Sequence, residues 1–375
     1  MKIHSRERGR HRSAALRVLA LLLVFNFHFL GAMFGGDAGA VPLVFRMLGS
    51  LGTCMFLVLV GVVAQAQLNN FSGQARPYWI KRFWRLYPPY FGVVALYLIG
   101  GLLIEGQGIP SLLTWSGAFN VLTDLLLMTD IYGGETIVTA TWALQYVALY
   151  SLAAPAVWRL AKSQTSPKWR CGVLFALFLG VLGGFGMLDF KLPVALPFAG
   201  ALLLEVFEAR VSKWALAAGI AASVAVVGFS TTSAAIWMIP GAVLIAWTVL
   251  HPARPAILNP SGFVGSRIAW IGERSFEFYL SQGFVTVPLR LAIQSFGRQA
   301  WWINCLLFVL CFQANIGLAH AAHWFLSRGS TAEFERLRVI FARFGRPAPA
   351  PIPVPLAEPA PALAQTLGQT GRVAA

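Results

Sequence analysis

Long apolar runs separated by short basic segments dominate this chain. Ten of them read as helical spans, at roughly residues 14–33, 42–67, 86–105, 138–160, 171–189, 192–211, 213–230, 233–250, 262–293 and 299–325. A helix rises about 1.5 Å per residue, so about 20 apolar residues cross a hydrocarbon layer about 30 Å thick. The pattern therefore predicts an all-α fold, a polytopic membrane protein of about ten transmembrane helices. The first run is expected to be a retained span rather than a cleaved signal. It is long, and no small-x-small pattern closes it before the next apolar run.

The basic residues orient these spans. With the N-terminus inside, the inner segments carry Lys2, Arg6, Arg8, Arg10 and Arg12, then Arg76, Lys81, Arg82 and Arg85. Further inner groups are Arg159/Lys162/Lys168/Arg170, Arg210/Lys213, Arg254/Arg267/Arg274 and the arginines from Arg328 onward. The outer segments hold only Arg46, Lys191, Arg290 and Arg298, four of the 29 Lys and Arg residues. Basic loops stay in the cytoplasm, so both termini are expected there, and an odd number of spans would break the alternation. The longest outer segment, about 106–137, has Asp124, Asp130 and Glu135 and no Lys or Arg. Its apolar part, 111–129, reads as a re-entrant or interfacial piece, because a full span would invert every later loop.

These boundaries divide the chain into a basic N-terminus (1–13), a transmembrane domain (14–325), a basic amphipathic juxtamembrane segment (326–345) and a disordered Pro/Ala-rich tail (346–375). Within the third part, TAEFERLRVIFARFG at 331–345 has the helical charge spacing of a surface-lying helix on anionic lipid. No internal repeat is visible, which weighs against an inverted-repeat transporter.

Composition agrees with a membrane chain. It is 57% hydrophobic and 11% charged, with a mean hydropathy of +0.68, where a soluble domain carries about 25% charged residues. The net charge of +15 raises the question of nucleic acid. The basic residues follow loop alternation and form no single face, so no nucleic-acid partner is expected, and membrane lipid is. The four cysteines form no CxxC pair or Cys/His cluster. They read as small buried hydrophobes, with no metal expected.

Against this apolar background His28 stands out. It sits near the centre of RVLALLLVFNFHFLGAMF, eleven residues after Arg17. An ionisable side chain at that depth is costly and marks a candidate functional site. Eleven residues turn through about 1100°, close to three full turns, so Arg17 and His28 share a helix face about 16 Å apart along the axis. The alternative for His28 is an imidazole that only packs against a neighbouring span. In RPYWIKRFWRLYPPY at 76–90, Arg82 and Arg85 also share a face. Guanidinium forks suit phosphate; the alternative is a positive-inside anchor with an aromatic belt. The same two readings apply to Arg274, beside Ser275 and Tyr279. Trp142 opens the fourth span, with belt and substrate-stacking readings.

Several of these stretches, in order, resemble the bacterial acyltransferase type 3 membrane proteins. Arg17 and His28 match that family's first-helix signature. FLVLVG at 56–61 is similar to its FFVLSG. RFWRLYPPY at 82–90 resembles its Arg-x-x-Arg followed by an aromatic and proline. TWALQYVALYSLAAP at 141–155 resembles its Trp-x-Leu…Pro block, and IGERSFEFYLSQ at 271–282 resembles its Gly-x-x-Ser-Tyr-x-x-Tyr-Leu-x-His block. The resemblance covers most of residues 12–325. It implies an O-acyltransferase of the bacterial cytoplasmic (inner) membrane. Such an enzyme takes an acyl group, often acetyl, from cytoplasmic acyl-CoA and passes it to a hydroxyl of a cell-surface or lipid-linked glycan.

On that reading His28 is the general base and Arg17 the cation that holds donor or stabilises developing charge. Arg82, Arg85 and Arg274 contact acyl-CoA, and Trp142 contacts the acceptor. The chain departs from the family at three positions: Val60 replaces a serine, Val147 a glutamate and Gln282 a histidine. Glu205 and Glu208 are candidate replacements for the lost carboxylate, against a reading as solvated helix ends beside Arg210. Asp124 and Asp130 are candidate glycan contacts, against a reading as solvated loop acids. The departures leave a second function open, a catalytically impaired relative acting in glycan or donor transport.

Overall fold

The computed structural model describes residues 2–35, 38–104, 114–129, 141–187, 192–228, 237–251, 262–296 and 300–329. Thirteen α-helices lie among them, with two short 3₁₀ turns and no strand, so the chain is all-α as the apolar pattern predicts. In order they are α1 (Lys2–Met33), α2 (Leu43–Asn70), α3 (Ala75–Ile104), α4 (Trp115–Leu125), α5 (Thr141–Lys162), α6 (Pro167–Met187) and α7 (Leu196–Ala209). They continue with α8 (Lys213–Gly228), α9 (Met238–Leu250), α10 (Phe263–Glu273), α11 (Ser275–Ser281), α12 (Gly283–Phe296) and α13 (Trp301–Gly329). Among the described residues three stretches, His11–Met33, Leu43–Asn70 and Trp301–Trp324, are long and apolar enough to cross a membrane. The chain contacts separate residues 1–331 from 332–375. The latter unit, which holds the tail and nearly all of the expected amphipathic segment, lies outside the described residues.

The elements differ from the expected spans in three places. The N-terminal basic segment is not separate: α1 runs unbroken from Lys2. One of its basic residues is buried, because Arg12 Nη1 donates to the His251 carbonyl at 2.8 Å, where α9 ends. A cation there meets carbonyls that the helix leaves unpaired. Helix α13 likewise runs on to Gly329, past the expected span end at 325, while its membrane-crossing stretch ends at Trp324. Finally, the expected span 262–293 is three helices. Arg274 ends α10 with φ −98° and ψ 14°, and a turn at Gln282 separates α11 from α12. Such breaks leave backbone groups unpaired and persist at membrane depth only where protein covers them or they line a cavity. Ser275, immediately after the first break, lines the cavity described below.

Helix α2 is the central element. It packs against α1, α5, α7 and α9. Its close approach to α7 is set by two facing glycines. A Cβ on Gly61 would strike the Pro197 carbonyl, and one on Gly200 would strike the Val58 carbonyl. Small residues at such crossings let backbones meet without loss of side-chain fit. The buried rings of Phe25 and Phe278 pack against the partly buried Phe308 and Phe312, joining α1, α11 and α13, with Phe25 5.4–5.8 Å from the other three centroids.

Helix α4 is the described part of the segment expected to be re-entrant or interfacial. Thr114 caps it, accepting the Gly117 N–H at 3.1 Å. Trp115 is 89% exposed, while Thr123 and Asp124 are buried at the other end. This one-sided burial suits a helix lying along a boundary.

Candidate active site

A cavity of about 70 Å³ collects three cations. Arg17 enters from α1, and Arg82 and Arg85 from α3, whose first turns carry the Arg-x-x-Arg spacing on one face. Phe56 and Val60 of α2, Val147 and Ser151 of α5, and Ser275 of α11 complete the parts of the wall that matter here. None of the lining residues is acidic. Arg17 Nη1 donates to the Gly272 carbonyl at 3.4 Å, in the last turn of α10. Arg82 lies over the buried Tyr78 ring at 6.0 Å. Its Nε and Nη2 are buried, and among the described residues neither has a hydrogen-bond partner.

Buried donors without acceptors are costly, of the order of 1–3 kcal/mol each and more when charged. Three guanidinium groups in one cavity also repel each other. A polyanion would supply acceptors and countercharge together, and guanidinium forks match phosphate oxygens. The arrangement can hold a phosphorylated ligand, with an apolar side of the cavity left for the rest of it. Among the described residues no group of His, Cys, Asp or Glu is placed to hold a metal.

His28 stands apart from the three arginines. It is half-buried and its ring packs edge-on to Phe27 at 5.4 Å. It does not line the arginine cavity, and among the described residues no carboxylate hydrogen-bonds to it. Ala20, Leu21 and Val24, the intervening residues on its side of α1, line a second and smaller cavity. The face predicted from periodicity thus runs from Arg17 through two cavities toward His28.

The other candidates divide. Arg274 is outside both cavities; it stacks on Trp270 at 4.2 Å and its Nη1 donates to the Trp270 carbonyl at 3.1 Å. Its neighbours Ser275 and Phe276 line the arginine cavity instead. Trp142 packs at the start of α5 with its ring 6.2 Å from Tyr146, and lines neither cavity. Val147, where the resemblance implies a glutamate, lines the cavity beside the arginines rather than touching His28. Gln282 is buried at the α11–α12 break.

Glu205 and Glu208 do not replace the missing carboxylate. Lys162 Nζ lies 2.7 Å from Glu205 Oε1, and Arg170 Nε lies 3.3 Å from Glu205 Oε2. Arg170 also holds Glu208 at 3.0 Å. Glu205 is not a solvated helix end either, since its side chain is 4% exposed. It joins α7 to α5 and α6. Glu205→Gln would leave two cations partly unpaired in a protected place, so we expect a loss of about 3 kcal/mol, read as a lower unfolding midpoint in detergent.

Asp124 also corrects its expectation. It is fully buried rather than a solvated loop acid. Thr129 Oγ1 donates to Asp124 Oδ1 at 3.1 Å, and Tyr90 Oη donates to the Asp124 carbonyl. Asp130 lies outside the described residues. The sequence carried no sign of the Asp124 site because its partner Tyr90 comes from a distant helix. Ser151 had a weak sign, four residues after Val147 and on the same face; its Oγ donates to the Val147 carbonyl at 2.6 Å.

A family model described as an acyltransferase domain matches residues 12–320. Neither the comparison with curated proteins nor that with solved structures returns a match.

Proposed function

The chain belongs to the acyltransferase 3 family, and on that premise we propose that it moves an acyl group, acetyl in the first place, from acyl-CoA to a hydroxyl of a cell-surface or lipid-linked glycan. It would do so as a multi-pass protein of the bacterial inner membrane, with about ten spans and both termini cytoplasmic. The observation that carries this reading is the cavity that Arg17, Arg82 and Arg85 line together, with Arg82 Nε and Nη2 buried and without a hydrogen-bond partner among the described residues. Acyl-CoA is the polyanion of matching chemistry. Its phosphates would pair with Arg82 and Arg85, and its thioester arm would run along the α1 face toward His28.

In the transfer, His28 takes the proton of the acceptor hydroxyl as its oxygen attacks the thioester carbonyl. The new C–O bond forms and the C–S bond breaks. The proton then passes to the departing CoA thiolate, so that an O-acyl glycan and free CoA result. General-base help of this kind is typically worth about 10²–10⁴-fold. Arg17 serves the donor end of the same face. Arg274 and Trp142 act, on this reading, by anchoring α10 and α5 rather than by touching donor or acceptor. The test is a mass-spectrometric comparison of surface glycans with and without the gene. Loss of O-acetyl groups is expected, and unchanged glycan acylation would reject the function.

Val147 favours a second reading, an impaired relative that carries donor or glycan without transferring the acyl group. Its position gives a separate prediction. Val147→Glu would add a negative charge among the arginines and compete with donor phosphate. We expect CoA to bind about tenfold more weakly, equivalent to about 1.4 kcal/mol, by calorimetric titration. Unchanged or tighter binding would mean that the arginines do not hold the phosphates.

A further inference from the structure

Two cavities lie in sequence along α1, and one side chain belongs to both. The arginine cavity begins at Arg17; the smaller one, of about 10 Å³, lies against Leu21 and Val24, about one to two turns nearer His28. Phe56 of α2 lines each of them. Its ring stacks on Tyr279 of α11 with centroids 5.6 Å apart and planes 10° from parallel. Tyr279 lines the smaller cavity as well. The stacked pair therefore walls the apolar cavity where it borders the cationic one.

The remaining walls of the small cavity have no room to yield. At Gly52, one turn from Phe56, an added Cβ would lie 2.7 Å from the Ala20 carbonyl oxygen and 2.8 Å from Leu23 Cβ, so α1 and α2 meet almost backbone to backbone. Thr53 has its hydroxyl engaged by the Gly49 carbonyl of its own helix at 3.2 Å. Ala143, from α5, is buried at 1% exposure. Close-packed interiors of this kind do not expand to admit an extra methylene. A space of this size takes only one small group, and acetyl, with its single methyl, is the smallest of the acyl chains compared below.

We propose that this small cavity is the acyl-chain pocket and that Phe56, stacked on Tyr279, sets its length limit: it takes the methyl of an acetyl group and excludes butyryl and longer chains. The inference rests on the acyl-CoA reading above and adds to it the class of donor used. Hydrophobic pockets separate ligands differing by one methylene by about 10–200-fold. A butyryl group exceeds acetyl by two.

The test is calorimetric titration of the full-length protein in detergent with CoA, acetyl-CoA and butyryl-CoA, followed by Phe56→Ala and Ala143→Val. The unaltered protein should bind butyryl-CoA at least about tenfold more weakly than acetyl-CoA. Phe56→Ala enlarges the pocket and should bring the two within about threefold, with CoA itself still bound. Ala143→Val narrows the pocket from α5 and leaves both stacked residues in place. It should weaken acetyl-CoA to at or below the level of CoA, which covers the case in which Phe56→Ala does not fold. Equal binding of acetyl- and butyryl-CoA by the unaltered protein overturns the pocket. A preference that neither variant changes does the same. If the unaltered protein binds none of the three, the acyl-CoA reading itself fails, and the pocket proposal falls with it.

Discussion

Replacement of His28 by alanine is expected to lower acyl transfer by about 10²–10⁴-fold, the usual contribution of a positioned general base. The same variant should bind CoA within about twofold of the unaltered protein, because His28 lies outside the cavity that holds Arg17, Arg82 and Arg85. This split separates the two readings of the imidazole. A helix-packing histidine would change stability or expression, and transfer would fall only in proportion to folded protein. Folding is checked by the unfolding midpoint in detergent, and transfer is counted per folded molecule. Unchanged transfer in a folded His28→Ala protein would remove the proposed base.

The second large effect is expected at Arg82. Hydrogen bonds to charged groups contribute about 1.5–3 kcal/mol each, and about 1.4 kcal/mol is a factor of ten in affinity. Arg82→Ala removes one of the three guanidinium groups that line the cavity and should weaken CoA binding by about 10–100-fold. Arg82→Lys keeps the charge but loses the planar fork, so it should fall between the two. The effect should appear in titration with CoA alone. Equal binding by all three proteins would separate the arginine cavity from the donor. Arg274→Ala is a useful contrast, since Arg274 stacks on Trp270 outside the cavity and should leave CoA affinity nearly unchanged.

Much of this site was visible in one dimension. The eleven-residue spacing of Arg17 and His28 predicts a shared face, and the structure supplies a continuous α1 helix with cavities along that face. Arg82 and Arg85 were legible for the same reason, because helical spacing acts over a few residues and needs no partner. The broken span at 262–296 was not legible. Apolar residues resume after the GERSFE stretch at 272–277 and run on past Gln282, and hydrophobicity alone does not record where a helix stops. That break moves the cavity lining from Arg274 to Ser275 and Phe276.

Positions that depend on a distant partner were hidden altogether. Asp124 looked like a loop acid until Tyr90 and Thr129 were found around it. Glu205 looked like a solvated helix end, although Lys162 and Arg170 come from two other helices to enclose it. Phe56 belonged to an apolar motif with no sign that it would face two cavities. Val147 changed meaning rather than place. It lines the arginine cavity, so the glutamate that the resemblance implies there would bear on that cavity's charge.

The central claim is acyl transfer from CoA to a glycan hydroxyl. Its most direct test supplies the purified protein, reconstituted in lipid vesicles, with acetyl-CoA labelled in the acetyl group and with glycolipid extracted from the membranes that contain it. We expect label to enter the glycolipid fraction as an ester that mild alkali releases as acetate, with transfer by His28→Ala lower by about 10²–10⁴-fold. Binding of acetyl-CoA by the folded protein with no label in the glycolipid would contradict the account.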